Sequence, residues 1–108
     1  MSFAVTPEPP YTAVIFTAVR GPDDEGYAAT GAEMRRLAIE QPGYLGLESA
    51  GGDDGPEITV SYWRTADDAR AWKKVVEHVT AQRLGRERWY QAYRVRVAEV
   101  TRSYGFDR

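Results

Sequence analysis

The chain has 108 residues, 14 basic and 16 acidic side chains, one histidine and no cysteine, for a net charge of −2 near neutrality. That size supports one domain with its own core. The missing cysteines exclude thiol nucleophiles, disulfides, iron–sulfur clusters and cysteine-ligated zinc. Near-balanced charge argues against nucleic acid or a membrane surface as partner, no apolar run approaches the length of a membrane span, and residues 1–10 lack a basic start. A soluble cytoplasmic protein is expected.

Pro7, Pro9 and Pro10 make residues 1–10 an extended lead-in that cannot join a central strand ladder, leaving residues 11–108 as a single domain. From Tyr11 to Arg20 the apolar residues fall on both faces, as in a central strand covered on both sides. Gly21-Pro22 ends it, and Asp23 or Asp24 is placed to cap a helix in which Tyr27, Met34, Leu37, Ala38 and Gln41 recur at helical spacing. Gly31 lies inside that helix, which predicts a tightly packed or irregular centre.

Pro42-Gly43 stops the helix, Tyr44 to Ala50 reads as a second strand, and the cluster Gly51 to Pro56 is a turn. In the third strand, Glu57 to Arg64, an aliphatic row of Ile58, Val60 and Tyr62 alternates with Thr59, Ser61 and Trp63. Thr65 begins a second helix with Asp67 and Asp68 in its first turn and a stripe of Asp68, Trp72, Val75, Val76 and Val79. Gly85 interrupts or ends it, a short helical piece through Trp89 and Tyr90 follows, and Tyr93 to Val100 restores strand periodicity.

The order β-α-β-β-α-β predicts an α+β fold, the ferredoxin-like sandwich, with two main helices on one face of a four-stranded antiparallel sheet. The first strand is apolar on both sides, so the other face of the sheet needs a cover. A homodimer with sheets packed face to face supplies one.

These residues resemble the antibiotic biosynthesis monooxygenase family of dimeric α/β-barrel proteins over about residues 11 to 101. The resemblance rests on Gln41-Pro-Gly-Tyr-Leu-Gly-Leu-Glu48, on Val60-Ser-Tyr-Trp63 closing the third strand, and on Trp72 with His78 in the second helix. The tail from Ala81 to Tyr90, then Tyr93 to Val97 and Tyr104 to Phe106, is similar to a bacterial subgroup described only as uncharacterised.

The resemblance implies a cofactor-independent monooxygenase acting on a small aromatic or polyketide-like substrate, with neither metal nor other cofactor. A base deprotonates the substrate, whose carbanion then reacts with molecular oxygen. His78, the one side chain that titrates near neutrality unaided, would be the catalytic base. Trp63 and Trp72 would shape an aromatic pocket, and Tyr62 or an arginine such as Arg86 would hold the oxyanion.

Each residue also has a structural reading. His78 follows Trp72 by six residues, about 120° round a helix, and so leaves the tryptophan's face; the tryptophans are natural core residues. Trp89, Tyr90 and Tyr93 would close the open end of the sandwich, or with Arg86 or Arg94 bind an anionic aromatic. The rival function is a non-catalytic or regulatory dimer that binds a small apolar or aromatic molecule. A haem-binding or haem-degrading role ranks last, because the haem-degrading relatives place an asparagine on the first strand and this chain has none. RNA recognition uses the same strand order, but Glu57 to Arg64 lacks its basic-glycine-aromatic pattern.

Overall fold

A strand with apolar residues on both sides belongs in the middle of a sheet, and β1 (Tyr11–Arg20) lies between β3 (Glu57–Trp63) and β4 (Tyr90–Val100). The computed structural model describes residues 2–23, 25–52, 55–83 and 89–108. With β2 (Tyr44–Gly51) outside β3, the sheet runs β2-β3-β1-β4, every neighbouring pair antiparallel. Helices α1 (Tyr27–Glu40) and α2 (Ala66–Arg83) complete a ferredoxin-like α+β fold. No helix among the described residues is long and apolar enough to cross a membrane.

Register decides which side chains face the helices. Thr12 pairs with Trp63, Val14 with Ser61 and Phe16 with Thr59, and across β1 the same residues meet Glu99, Val97 and Val95. These share the helix side, where Ala38, Trp63, Ala69 and Trp72 form the buried core with Val14, Met34, Leu37, Tyr44, Val75 and Val76 against it. The aliphatic row Ile58, Val60 and Tyr62 therefore lies on the helix-free side, and the row carrying Ser61 and Trp63 is the covered one. Trp63 contributes enough apolar surface to outweigh the hydroxyls, and among the described residues no buried side-chain nitrogen or oxygen lacks a hydrogen-bond partner.

The helix boundaries depart from expectation at α1. Its N-cap is Gly26 at φ +79, with no side-chain cap; that left-handed conformation costs glycine little. Asp23 Oδ1 instead accepts the Glu25 amide at 3.1 Å, since a short carboxylate readily bonds the backbone two residues on. Asp24, the other expected cap, is outside the described residues. α1 also runs unbroken through Gly31, where an added methyl would meet only Arg35 Nη1, at 3.7 Å. The predicted crowding is absent. At α2, Thr65 Oγ1 accepts the Asp68 amide at 3.1 Å, a regular cap.

β4 begins at Tyr90, three residues before the expected start, because an irregularity opposite Val19 and Arg20 lets Tyr90 pair with Arg20. On the helix-free side, the lead-in crosses β2 and β3. Ala4 N donates to Glu48 Oε2 at 2.9 Å, Thr6 Oγ1 donates to the Tyr11 hydroxyl at 3.1 Å, and Tyr62 donates to Glu48 Oε1 at 2.7 Å. Gly46 admits this strap, since a Cβ there would come within 2.5 Å of Ala4 Cβ.

Candidate functional site

The two tryptophans expected from the sequence to lie together do so. Trp63 closes β3, Trp72 sits on the buried stripe of α2, and their rings stack with centroids 5.5 Å apart and planes at 27°. Tyr44 packs edge-on to Trp63 at 5.6 Å, and Trp63 Nε1 donates to Ser61 Oγ at 2.9 Å. With Trp63 fully buried and Trp72 nearly so, each indole is largely enclosed by its neighbours, and the polar edge of Trp63 is satisfied. The stacked pair lies at the centre of the core between β3 and α2.

Of the other predicted site residues, Tyr62 and His78 stand apart from this pair. Tyr62 occupies the helix-free face, edge-on to Tyr11 at 5.9 Å, with its hydroxyl committed to Glu48. Burial, reinforced by that hydrogen bond, pushes its phenol up to about 12. His78 is exposed on α2, off the stripe of Ala69, Trp72 and Val79. Arg86 lies outside the described residues. Arg94 shares the helix-free face with Thr17 and donates to the Tyr93 carbonyl at 2.8 Å.

A different group converges on the helix side, at the end of the sheet where β1 leaves and β4 enters. Phe16 meets Tyr90 edge-on at 5.5 Å and stacks on Tyr93 at 5.6 Å. Tyr90 meets Tyr93 at 5.7 Å and Tyr27, the first residue of α1, at 5.8 Å. Tyr27 donates to Glu57 Oε1 at 2.7 Å while the Arg20 guanidinium lies over its ring at 4.0 Å. Trp89 braces the cluster: its ring meets Tyr27 at 5.7 Å, its Nε1 donates to the Glu25 carbonyl at 2.8 Å, and its own carbonyl accepts the Gly21 amide at 2.8 Å. On the same face, Val95 and Val97 continue from the rings along β4, 49% and 61% exposed.

Burial, then the hydrogen bond to Glu57, holds the Tyr27 phenol far above the ordinary tyrosine range. Burial also raises Tyr90, against the opposing pull of its hydrogen bond with Tyr27 and the charge of Arg20. Both are neutral phenols at physiological pH, able to donate and accept hydrogen bonds. Burial alone raises Tyr44. Among the described residues no three His, Asp or Glu side chains gather as metal ligands.

The sequence held a partial signal for this cluster in Trp89, Tyr90 and Tyr93. Tyr27 and Glu57 gave none, because one reads as a helix-stripe residue and the other as the first residue of a strand, thirty positions away.

No family model matches the chain. It is 50% identical over 97 residues to the uncharacterised protein YqjZ of Bacillus subtilis, spanning 90% of this chain and 85% of that one. Among solved structures it resembles SnoaB, a cofactor-independent oxygenase from Streptomyces nogalater, at a TM-score of 0.64 and 12% identity over 93% of this chain and all of the other. A candidate antibiotic biosynthesis monooxygenase from Nitrosomonas europaea superposes at a TM-score of 0.65 with 16% identity, over 93% of this chain and 96% of the other. At such identities these two likenesses establish the fold alone.

Proposed function

Because the chain belongs to the family of the Bacillus subtilis protein YqjZ and has the fold of antibiotic biosynthesis monooxygenase-like proteins, we propose that it is a cofactor-independent monooxygenase acting on a small aromatic or polyketide-like substrate. The observation that carries this reading is the helix-side ring cluster beside exposed Val95 and Val97. A planar substrate laid there would stack on the rings and cover the valines, gaining about 25 cal/mol for each Å² of apolar surface removed from water. The adjoining hydroxyls would meet its polar edge. The substrate loses a proton, the carbanion takes up molecular oxygen, and an activated methylene becomes a carbonyl as the second oxygen atom leaves in water.

The helix-free face carries Ile15, Ile58, Val60 and Ala98 around the strap, which supports a two-fold dimer through that face. Sedimentation at micromolar concentration is expected to give twice the chain mass, and a species of 12.1 kDa alone would overturn the dimer.

Oxygen uptake with anthrone or a hydroquinone, without added metal, flavin or haem, tests the activity. Binding of these compounds without uptake would favour the non-catalytic ligand-binding dimer. His78, the base to which the sequence points, is decided in the same assay. Loss of uptake in His78→Ala with unchanged melting would keep it as proton acceptor, and retained uptake would move that role to the ring cluster.

A further inference from the structure

We propose, resting on the two-fold dimer read from the helix-free face, that the strap of each protomer is a ridge seated in a recess at the opposite end of its partner's sheet. Phe3 and Val5 are the inserted side chains.

The face is stepped, because the strap covers only one end of it. Ala4 lies against Gly46 and bonds Glu48, Gly46 pairs with Tyr62, and Thr6 bonds Tyr11, so the strap crosses where β1 begins and β3 ends. Exposure alternates along it. Ala4 and Thr6 are half-buried against the sheet, whereas Phe3 and Val5 stand outward, 73% and 89% exposed. In the single chain that apolar surface stays in water, and a second molecule can remove it.

The far end of the face lies lower and is also apolar. Tyr11 and Ala13 are buried at the strap end, but Val19 and Ile58 at the other end are each 42% exposed, with half-buried Ile15 and Val60 between. Ile58 stands four residues along β3 from Tyr62, which is about 13 Å.

A ridge and a recess at opposite ends of one face define the partner as a second copy of this chain. A two-fold axis lying between two such sheets and crossing their strands exchanges the ends, so each ridge meets the other's recess and both contacts form at once. A flat lipid surface would leave the step unfilled. Charge agrees with this seating: Glu8 follows on the strap and is exposed, while Arg94 and Arg96, opposite Thr17 and Ile15, edge the recess. The partner's strap thus brings an acid toward two guanidiniums. Val95 and Val97 lie on the other face and stay open in this dimer.

The chain has no cysteine, so introduced pairs report the geometry directly. Val5→Cys combined with Ile58→Cys, oxidised at micromolar concentration, is expected to give a band of twice the chain mass on a non-reducing denaturing gel. A disulfide within one chain would leave the mass unchanged. Each single variant is expected to run at the chain mass, since the axis holds like positions far beyond the Cα reach of about 7 Å for a disulfide. Phe3→Ser with Val5→Ser, at positions exposed in the single chain, should keep the circular dichroism spectrum. The same pair should raise the dimer dissociation constant at least about a hundredfold in sedimentation.

No cross-link from the cysteine pair, cross-linking by Val5→Cys alone, or an unchanged dissociation constant in the serine variant would each overturn the seating and leave the dimer standing. A wild type that sediments only at 12.1 kDa would remove the dimer and the seating together.

Discussion

The two faces of the sheet each carry a tyrosine donating to a glutamate at 2.7 Å, Tyr27 to Glu57 on the helix side and Tyr62 to Glu48 on the other. The same pair does different work because of what lies next to it. Glu48 receives Tyr62 on one oxygen and the Ala4 amide on the other, so both serve to clasp the strap. Tyr27 instead meets the ring of Tyr90 edge-on at 5.8 Å, in a cluster that borders exposed Val95 and Val97. A carboxylate saturated by its own backbone is a fastener. Glu57 anchors a ring cluster that adjoins exposed apolar surface.

Removing the packing beneath both pairs should have the largest effect. Trp63→Ala deletes a fully buried indole stacked on Trp72 and should cost about 3–5 kcal/mol in urea unfolding; a loss below about 1 kcal/mol would mean that the core closes without it. Next comes the clasp. Glu48→Gln and Tyr62→Phe should each lose about 1 kcal/mol and free the amides of residues 4–6 to hydrogen exchange. Unchanged exchange at those amides would mean that the strap is held by other contacts.

The clasp also predicts an alkaline response. Tyr62 stands near 12 in the folded chain against an ordinary 10.0, so its stabilising contribution is complete below about pH 10 and is lost as pH climbs toward 12. Tyr62→Phe should flatten the fall in melting temperature across that window; an unchanged fall would place the sensitivity elsewhere.

Smaller effects are expected away from both pairs. Gly31→Ala should stabilise α1 by about 0.5–1 kcal/mol, because the site is helical and open, and destabilisation would reveal crowding. His78→Ala, on an exposed turn of α2, should change stability by less than about 0.5 kcal/mol.

Local pattern alone determined a good part of this molecule. Punctuation at Gly21-Pro22, Pro42-Gly43 and Gly51 to Pro56, with a change of hydrophobic period between elements, was enough for the element order and hence for the ferredoxin-like sheet. The proximity of Trp63 and Trp72 followed from a strand end and the helix beginning three residues later. These are short-range consequences of backbone geometry, legible because each element must present an apolar face somewhere.

Only the tertiary structure decided which face that is. The row Ile58, Val60 and Tyr62 looks the better core, yet register pairs Trp63 and Ser61 with Thr12 and Val14 beneath the helices. The strap, the irregularity that draws Tyr90 into β4, and the meeting of Tyr27 with Glu57 depend on contacts between residues far apart in the chain. Periodicity constrains where a side chain points relative to its own strand or helix; it carries no information about which distant hydroxyl or carboxylate will stand opposite. The candidate site consists of such oppositions, and so it came into view only once the sheet was assembled.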